Sequence, residues 1–393
     1  MPRLAPIEGL RAYLALWVLA CHAMAFSGYE DDGSLSGIPK LLSEGWFAVD
    51  VFVIVSGFVI FLLLDRREEN YRQFLCRRFF RLYPVYLPLF LLAIPASWLW
   101  WWNLQHAPAY QHAHDVEFFL HHIQAEWQNW PLNMAAHLVM LHGLIPDAWY
   151  GNAQASRMWL GPAWSISLEW QFYLVAPAAY LLATSVKARH QFLLAALGLG
   201  LLYAGHRYAW GIGFLPFHGE FFFVGAASFF LYKRHAERGT SAEGPRLFLT
   251  ATGLAFLLYL LSGKVREMIP LGVWIMFFAL LLEPEDRPEA RWLRALFTHP
   301  AAQYLGKISY GIYLSHELVL VAAQAALLKW LPGLGQMAHL GALLSLTVPA
   351  TFAVSVFLHH YVETPGIKLG RTLAGRAGVQ SALKAPTSSP VPV

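Results

Sequence analysis

A histidine and an arginine stand eleven positions apart in the first apolar stretch of the chain, at His22 and Arg11. An imidazole exchanges protons near neutral pH, so His22 is suited to act as a general base. In a helix, eleven residues return to within ~20° of the same face and rise ~16 Å. We therefore expect His22 to lie above Arg11 on one stripe of a helix. The alternative is a packed histidine that donates to a carbonyl group.

The densest cationic stretch of the chain contains six arginines and no lysine: Arg66, Arg67, Arg72, Arg77, Arg78 and Arg81. A guanidinium group binds phosphate through two parallel N–H bonds, which a lysine cannot form. Arg78 and Arg81 share one helix face at a spacing of three, and Arg77 adjoins them. The pattern predicts a site for a polyphosphate ligand at the membrane surface. Binding of anionic lipid headgroups is the alternative.

Four carboxylates lie within or at the ends of apolar stretches: Asp50, Glu169, Glu317 and Glu363. An ionisable group in such a position is energetically costly and is therefore a functional candidate. Asp50 needs a partner, for which His22 or a cation of an outer loop would serve. Tyr313 and Glu317 share one face of their stretch, and His316 lies on the adjoining face. We expect these three side chains to contact the substrate.

The chain has 17 histidines, and seven of them lie between His106 and His142. Their spacing does not form a tight ligand set, and Cys21 and Cys76 are the only cysteines, so we expect no metal. Two cysteines also exclude a disulfide scaffold. The formal net charge of +4 is weak and scattered along the sequence, which argues against nucleic-acid binding.

The amino-acid composition predicts the type of secondary structure that positions these residues. Of the 393 residues 57% are hydrophobic and 13% are charged, too few charges to cover a soluble globule of this size. The expected solvent is a lipid bilayer, and an all-α bundle follows because lipid requires internally satisfied backbones. Stretches of suitable length predict ten transmembrane helices. They are 12–28, 46–64, 83–102, 164–184, 190–207, 213–231, 246–262, 268–283, 305–328 and 340–362.

The distribution of Lys and Arg orients this bundle. With ten spans, 22 of the 28 basic residues fall on the side of both termini, which predicts cytoplasmic termini. Residues 103–163 then form one long extracytoplasmic segment, in which 131–148 is expected as a re-entrant or interfacial helix. We expect a single membrane domain over 1–376, followed by a Pro- and Ser-rich disordered cytoplasmic tail over 377–393.

Six pieces of the sequence resemble the acyltransferase 3 family of membrane O-acyltransferases. They are Arg11 with His22, GWFAVDVFVIVSGFVI, RRFFRLYP, PAWSISLEWQFYLVAP, ISYGIYLSHELVL and YVETP. These pieces occur in the family's order between residues 8 and 365. Each is weak alone, and together they make the resemblance specific.

The resemblance implies transfer of an acyl group, usually acetyl, from cytoplasmic acyl-coenzyme A to a hydroxyl of a carbohydrate or related acceptor. It implies location in the bacterial cytoplasmic membrane, in a stand-alone form without the esterase-like domain fused to some relatives. His22 matches the family's essential histidine, and Arg11 its paired arginine. Arg78 and Arg81 match the motif associated with the donor, and Glu363 matches the acid that ends the last core span.

Two positions depart from the family pattern. Ser315 stands where a tryptophan commonly precedes the histidine of the ninth span, and Trp170 replaces a second carboxylate often seen after Glu169. Both changes bear on the shape of the acceptor pocket. The resemblance therefore does not specify the acceptor of this protein.

Two other classes of function fit some of these features. A proton-coupled secondary transporter would use Asp50, Glu169, His22 and Glu317 as a proton relay. It would move its substrate without any dependence on coenzyme A, and it would not explain the clustered arginines. A non-catalytic membrane scaffold is the third possibility.

Overall fold

The apolar stretches form helices because a backbone surrounded by lipid must satisfy its hydrogen bonds within each segment. The computed structural model describes residues 5–29, 35–111, 113–150, 154–185, 210–238, 268–283 and 288–384. Every regular element within these ranges is helical, which confirms the all-α prediction. The α-helices are α1 Ala5–Phe26, α2 Gly37–Leu42, α3 Gly45–Arg66, α4 Tyr71–Gln105, α5 Ala113–Gln128, α6 Trp130–Leu138, α7 Ala163–Ser185, α8 Gly219–Arg238, α9 Met268–Leu282, α10 Pro288–Thr298, α11 Pro300–Trp330, α12 Gln336–Leu358 and α13 Thr364–Lys384.

Several helical segments are long and apolar enough to cross a bilayer. They are Ala5–Phe26, Gly45–Arg66, Tyr71–Gln105, Pro300–Trp330 and Gln336–Arg376. They contain the predicted spans at 46–64, 83–102, 305–328 and 340–362 and nearly all of the one at 12–28. These segments identify the chain as an integral membrane protein.

The remaining predicted spans divide into two groups. Those at 164–184, 213–231 and 268–283 correspond to α7, α8 and α9, of which α9 is apolar but only 15 residues long. Those at 190–207 and 246–262 lie outside the described residues. The total of ten spans and the cytoplasmic termini stay predictions.

Helix α11 packs along α1, α12 and α4. Where α1 meets α11, the backbone carbonyl of Glu8 lies where a Cβ on Gly306 would stand. Glycine at this position lets the two backbones approach, as small residues do between membrane helices. The contact determines which residues of α1 and α11 face each other farther along the pair.

Gly306→Ala is therefore expected to lower the melting temperature of the purified protein. The added methyl group must displace the α1 backbone, and overpacking of this kind costs about 1–3 kcal/mol. Gly341→Ala in α12 is the matched control, because no atom lies within 4 Å of its added Cβ. Thermal unfolding in detergent compares the two variants. Equal melting temperatures would contradict the close α1–α11 contact.

Helix α4 begins twelve residues before the predicted span at 83–102. The Asn70 side chain accepts from the Gln73 backbone N–H at 3.0 Å, and the Gln73 side chain accepts from the Asn70 N–H at 3.0 Å. This reciprocal cap starts the helix at Tyr71. The helix thus extends beyond the predicted apolar span and includes Arg78 and Arg81, which were expected on one helix face. The arginines thus lie on the first turns of a membrane helix.

Helix α12 runs through a π-helical turn, His359–Glu363, directly into α13. Such turns are rare and often occur at functional sites. Helix α13 packs against α4, with Gly366 against the ring of Pro84. It continues to Lys384, past the predicted domain boundary at 376. Residues 385–393 of the predicted tail lie outside the described part of the chain.

The long segment between α4 and α7 docks on α4 through a column of rings. The rings of His137 and His142 stack at 3.8 Å, and Phe90 stacks on His137 at 4.8 Å. The Tyr86 hydroxyl lies 2.9 Å from His137 Nδ1, and both histidines are fully buried. Helix α6 and short 3₁₀ turns occupy the part expected as a re-entrant or interfacial helix.

This column predicts that acid loosens the long segment. Burial lowers the pKa of His142 from 6.5 to about 4, so the unfolded chain binds more protons than the folded one between those values. Stability is present above pH 6.5 and is lost as the pH falls, by about 1.4 kcal/mol per pH unit. Melting temperatures between pH 7.5 and 5 should decline less steeply in His142→Gln than in wild type. The exposed control His121→Gln should keep the wild-type slope, and an unchanged slope in His142→Gln would refute the assignment.

Candidate active site

Two cavities of about 190 Å³ each lie between the helices and share Val49 and Tyr313 as lining residues. The Tyr313 hydroxyl lies 2.8 Å from Ser165 Oγ, in one cavity wall, and 3.2 Å from the Pro162 carbonyl oxygen, in the other. The tyrosine is 7% exposed. A hydrogen-bonded tyrosine therefore separates the two cavities.

The first cavity, here the arginine chamber, is lined by Arg11, Arg78 and Arg81. The Arg78 guanidinium lies 5.9 Å from the centre of the Tyr173 ring, and the Arg81 guanidinium lies 5.6 Å from that of Tyr310. Aromatic faces hold a guanidinium in place while leaving its N–H edge able to donate. The chamber thus gathers three of the arginines that the sequence singled out.

Arg81 is also held by an ion pair with Glu363, the residue that ends the π-helical turn. Glu363 is 2% exposed, and its second oxygen lies 2.7 Å from His359 Nδ1. Glu363 lines neither chamber. Its place is behind Arg81, where the ion pair orients the guanidinium.

Glu169 faces the same chamber, where Tyr173 and Ser56 donate hydrogen bonds to it, the second at 3.3 Å. Arg77, which the sequence grouped with the donor-binding arginines, lies outside the chamber. Its Nη1 is 3.4 Å from Glu69 Oε1 at the start of α4. Adjacent positions on a helix point about 100° apart, so Arg77 cannot follow Arg78 into the cavity.

The second cavity, here the histidine chamber, is lined by His22, Tyr313 and Glu317. His22 Nδ1 lies 2.6 Å from His316 Nε2, and His316 Nδ1 lies 2.6 Å from the Tyr313 carbonyl oxygen. His316 is fully buried and is absent from the chamber lining. Helix α1 thus meets α11, the helix of the ninth predicted span, with His316 behind His22 and away from the cavity.

Arg11 and His22 follow the same stripe of α1 but reach different chambers. Arg11 Nη1 lies 3.7 Å from Glu8 Oε2. The rise between the two residues carries His22 past the level of Tyr313. Arg11 therefore lies with the arginines of α4, and the two members of the predicted pair line different chambers.

Sequence reasoning missed Arg157, which enters the histidine chamber from a 3₁₀ turn of the long segment. Glu317 lies opposite, packed against Gly161, and its Oε2 is buried without a hydrogen-bond partner among the described residues. The two side chains put a cation and a carboxylate within electrostatic range of each other beside His22. No sequence pattern marks an arginine in a long irregular segment as a site residue.

A buried pair supports the turn that carries Arg157. Glu126 accepts from the backbone N–H of Trp159 at 2.6 Å, and burial raises its pKa to about 8. His122 lies 3.6 Å away from Glu126, and burial lowers its pKa to about 4. Burial disfavours the charged form of both groups, and the hydrogen bond from Trp159 to Glu126 ties α5 to the turn.

Asp50 does not pair with His22, contrary to one of the two partners expected for it. Its Oδ1 lies 3.1 Å from His218 Nδ1, in the turn before α8, and Asp50 is 2% exposed. His22 is held by His316 instead. Asp50 lines neither chamber, and its contact with His218 joins α3 to the α8 region. Across the described ranges, no three His, Cys, Asp or Glu side chains assemble into a metal-ligand group.

Comparisons with known proteins show which proteins the chain is similar to. A putative membrane-bound transacylase of Komagataeibacter xylinus (BcsY) is 25% identical over 374 residues, covering 92% of this chain and 82% of the relative. An acyltransferase of Streptomyces mycarofaciens (MdmB) is 25% identical over 203 residues, 48% of this chain and 42% of the relative. A putative O-acetyltransferase of Staphylococcus aureus strain COL (SACOL0978) is 20% identical over 344 residues, 80% of this chain and 50% of the relative.

The chain thus spans half or less of the Streptomyces and staphylococcal relatives that it matches. No solved structure matches it. A family model described as an acyltransferase domain matches residues 4–360, nearly the whole chain. By that match, the protein belongs to the acyltransferase 3 family.

Proposed function

We propose that the protein transfers an acyl group, most simply acetyl, from acyl-coenzyme A to a hydroxyl of a carbohydrate or glycoconjugate at the bacterial cytoplasmic membrane. The names of the transacylase and O-acetyltransferase relatives support this reaction class. The observation that carries the proposal is the adjoining pair of chambers. One contains an arginine cluster, the other contains a histidine, and one tyrosine divides them.

The arginine chamber suits the phosphates of the donor. Arg78 and Arg81 donate from neighbouring positions of one helix face, and Arg11 adds a third cation from α1. Charge-assisted bonds of this type position a polyphosphate strongly. The Lys and Arg distribution predicts that this end of the bundle faces the cytoplasm, where acyl-coenzyme A is present.

The histidine chamber suits the chemical step. His22 takes the proton of the acceptor hydroxyl, or accepts the acyl group itself, and Arg157 supplies positive charge for the oxyanion that develops on the thioester carbonyl. The pantetheine arm reaches His22 only when Tyr313 leaves its hydrogen bonds to Ser165 and Pro162. Entry of the donor arm into the histidine chamber therefore requires the Tyr313 side chain to move.

The lining of the histidine chamber also suits a sugar. Trp46, Trp100 and Trp164 supply flat apolar faces, and Asn103 and Gln324 supply amide groups that both donate and accept. A pyranose presents C–H faces and a rim of hydroxyls, which this combination of rings and amides complements. We therefore propose a carbohydrate as the acceptor.

The proposal is tested with purified protein in detergent. Acetyl-coenzyme A should raise the melting temperature, and S-acetylpantetheine, which lacks the phosphates, should not at the same concentration. Membranes containing the protein should transfer label from [¹⁴C]acetyl-coenzyme A to the carbohydrate fraction of the cell envelope. Absence of both effects, together with coenzyme A-independent solute flux into vesicles, would favour a transporter.

A further inference from the structure

The rings of His22 and His316 meet edge to edge. Their centroids are 4.9 Å apart and their planes differ by 19°, while the two facing nitrogens are 2.6 Å apart. The centroid separation is the nitrogen–nitrogen distance plus about one ring radius on each side. The nitrogens therefore lie on the line between the rings, which are nearly coplanar, as an N–H···N hydrogen bond requires.

The partners of these nitrogens specify where the protons are. The Tyr313 carbonyl oxygen can only accept, so His316 Nδ1, at 2.6 Å, carries a hydrogen. His316 is fully buried, which favours a neutral ring, and a neutral imidazole has one N–H. His316 Nε2 is then an acceptor and His22 Nδ1 is its donor. The remaining nitrogen, His22 Nε2, has a free lone pair.

We infer that His316 is a positioning residue that holds His22 in the Nδ1–H tautomer, so that His22 Nε2 is the reacting atom in the histidine chamber. His22 lines that chamber and His316 does not. The opposite tautomer would place a proton on Nε2 and leave no base there. The inference rests on the proposed acyl transfer and goes beyond it, because it gives His316 a role other than substrate contact.

The proton balance of the step closes within the site. His22 Nε2 takes the proton of the acceptor hydroxyl as the oxygen attacks the thioester carbonyl carbon. The resulting imidazolium keeps its Nδ1–H bond to His316. When the tetrahedral intermediate collapses, the carbon–sulfur bond breaks and the thiolate takes the proton from Nε2. The products are an ester and coenzyme A, and both histidines return to their starting tautomers.

Two amide variants separate the two hydrogen bonds of His316. His316→Gln places an amide oxygen near the position of Nε2, where it can accept from His22 Nδ1–H. His316→Asn places its amide near Nδ1, where it can keep the bond to the Tyr313 carbonyl but falls short of His22. We expect kcat to fall about 10²-fold in His316→Asn and to stay within about fivefold of wild type in His316→Gln.

The KM for acetyl-coenzyme A should be unchanged in both variants, because the His316 side chain does not line the arginine chamber. Equal kcat values in the two variants, or a larger loss in His316→Gln, would overturn the inference. So would a rise in KM for the acceptor with kcat unchanged, which would indicate substrate contact. If wild type transfers no acyl group, the proposed function itself fails; if wild type is active and His316→Asn equals it, only the positioning role fails.

A measurement on wild-type protein does not depend on how the variants fold. Diethyl pyrocarbonate acylates unprotonated imidazole nitrogens that it can reach. Brief treatment followed by peptide mass spectrometry should show the adduct at His22 and not at His316, with loss of acyl transfer in step with the modification of His22. Faster modification of His316 would refute the assignment of protons and accessibility.

Discussion

Replacing His22 by alanine is expected to lower the rate of acyl transfer about 10³-fold, the size of effect typical for loss of a general base. Acetyl-coenzyme A should still raise the melting temperature of His22→Ala, because His22 lines the chamber on the other side of Tyr313 from the arginines. Transfer of label from [¹⁴C]acetyl-coenzyme A and thermal unfolding measure the two effects in the same preparation. The prediction therefore separates chemistry from donor binding.

Cys21→Ala is the matched control for this variant. Cys21 is the neighbour of His22, but its thiol donates to the Ser43 carbonyl oxygen at 3.0 Å and does not approach the imidazole. Its removal should change the rate less than twofold. A His22→Ala protein as active as Cys21→Ala would refute the catalytic role of His22.

An acetyl-histidine trapped on wild-type protein would identify His22 as a covalent acyl carrier. Its absence during turnover would favour His22 as a general base.

The second large effect is expected for Arg78→Ala, which should raise the KM for acetyl-coenzyme A about 10- to 100-fold. A hydrogen bond to a charged group contributes about 1.5–3 kcal/mol, which corresponds to this range. Arg78 lies over two aromatic rings, and no carboxylate pairs with it in the described part of the chain. Its loss should therefore leave the fold intact. Initial rates at varied acetyl-coenzyme A concentrations give the KM and kcat separately.

Arg72→Ala is the control, since Arg72 is an exposed arginine in the first turn of the same helix. It tests whether any positive charge at this end of α4 suffices. Similar KM increases in both variants would indicate a general effect of positive charge. They would contradict specific binding of the donor by Arg78. Arg81→Ala is less informative, because it removes the arginine partner of the buried Glu363 and leaves it only His359, so it affects folding as well as binding.

Sequence patterns that depend on local geometry were good guides to this protein. The helical repeat predicted that Arg11 and His22 share a stripe of α1, and that Arg78 and Arg81 share a face of α4. Both follow from the fixed rotation per residue of a helix. The same rotation turns Arg77 away from Arg78 and toward Glu69, so grouping Arg77 with Arg78 and Arg81 ignored the helical repeat.

Patterns that depend on distant partners were poor guides. His22 was one of the two partners expected for Asp50, and His218 is the histidine that meets it. The π-helical turn that orients Glu363 beside Arg81 has no marker in the sequence. Arg157 reaches the histidine chamber from an irregular segment whose path depends on buried residues such as Glu126. Contacts between residues distant in the chain produce no regular spacing in the sequence, so a sequence pattern does not reveal them.

The sequence by itself determined the solvent, the helical class and the chemical groups of the site. Too few charges for a water-exposed surface require lipid, lipid requires helices, and the few ionisable groups left among apolar residues are the functional candidates. Only the tertiary structure decided which of those groups line the arginine chamber and which line the histidine chamber. Parallel packing of α1 against α11 brings His22 to His316, and Tyr313 separates that pair from the arginines. The physical reason is that a helix specifies the direction of its own side chains, whereas the partner that each one meets depends on which helices pack together.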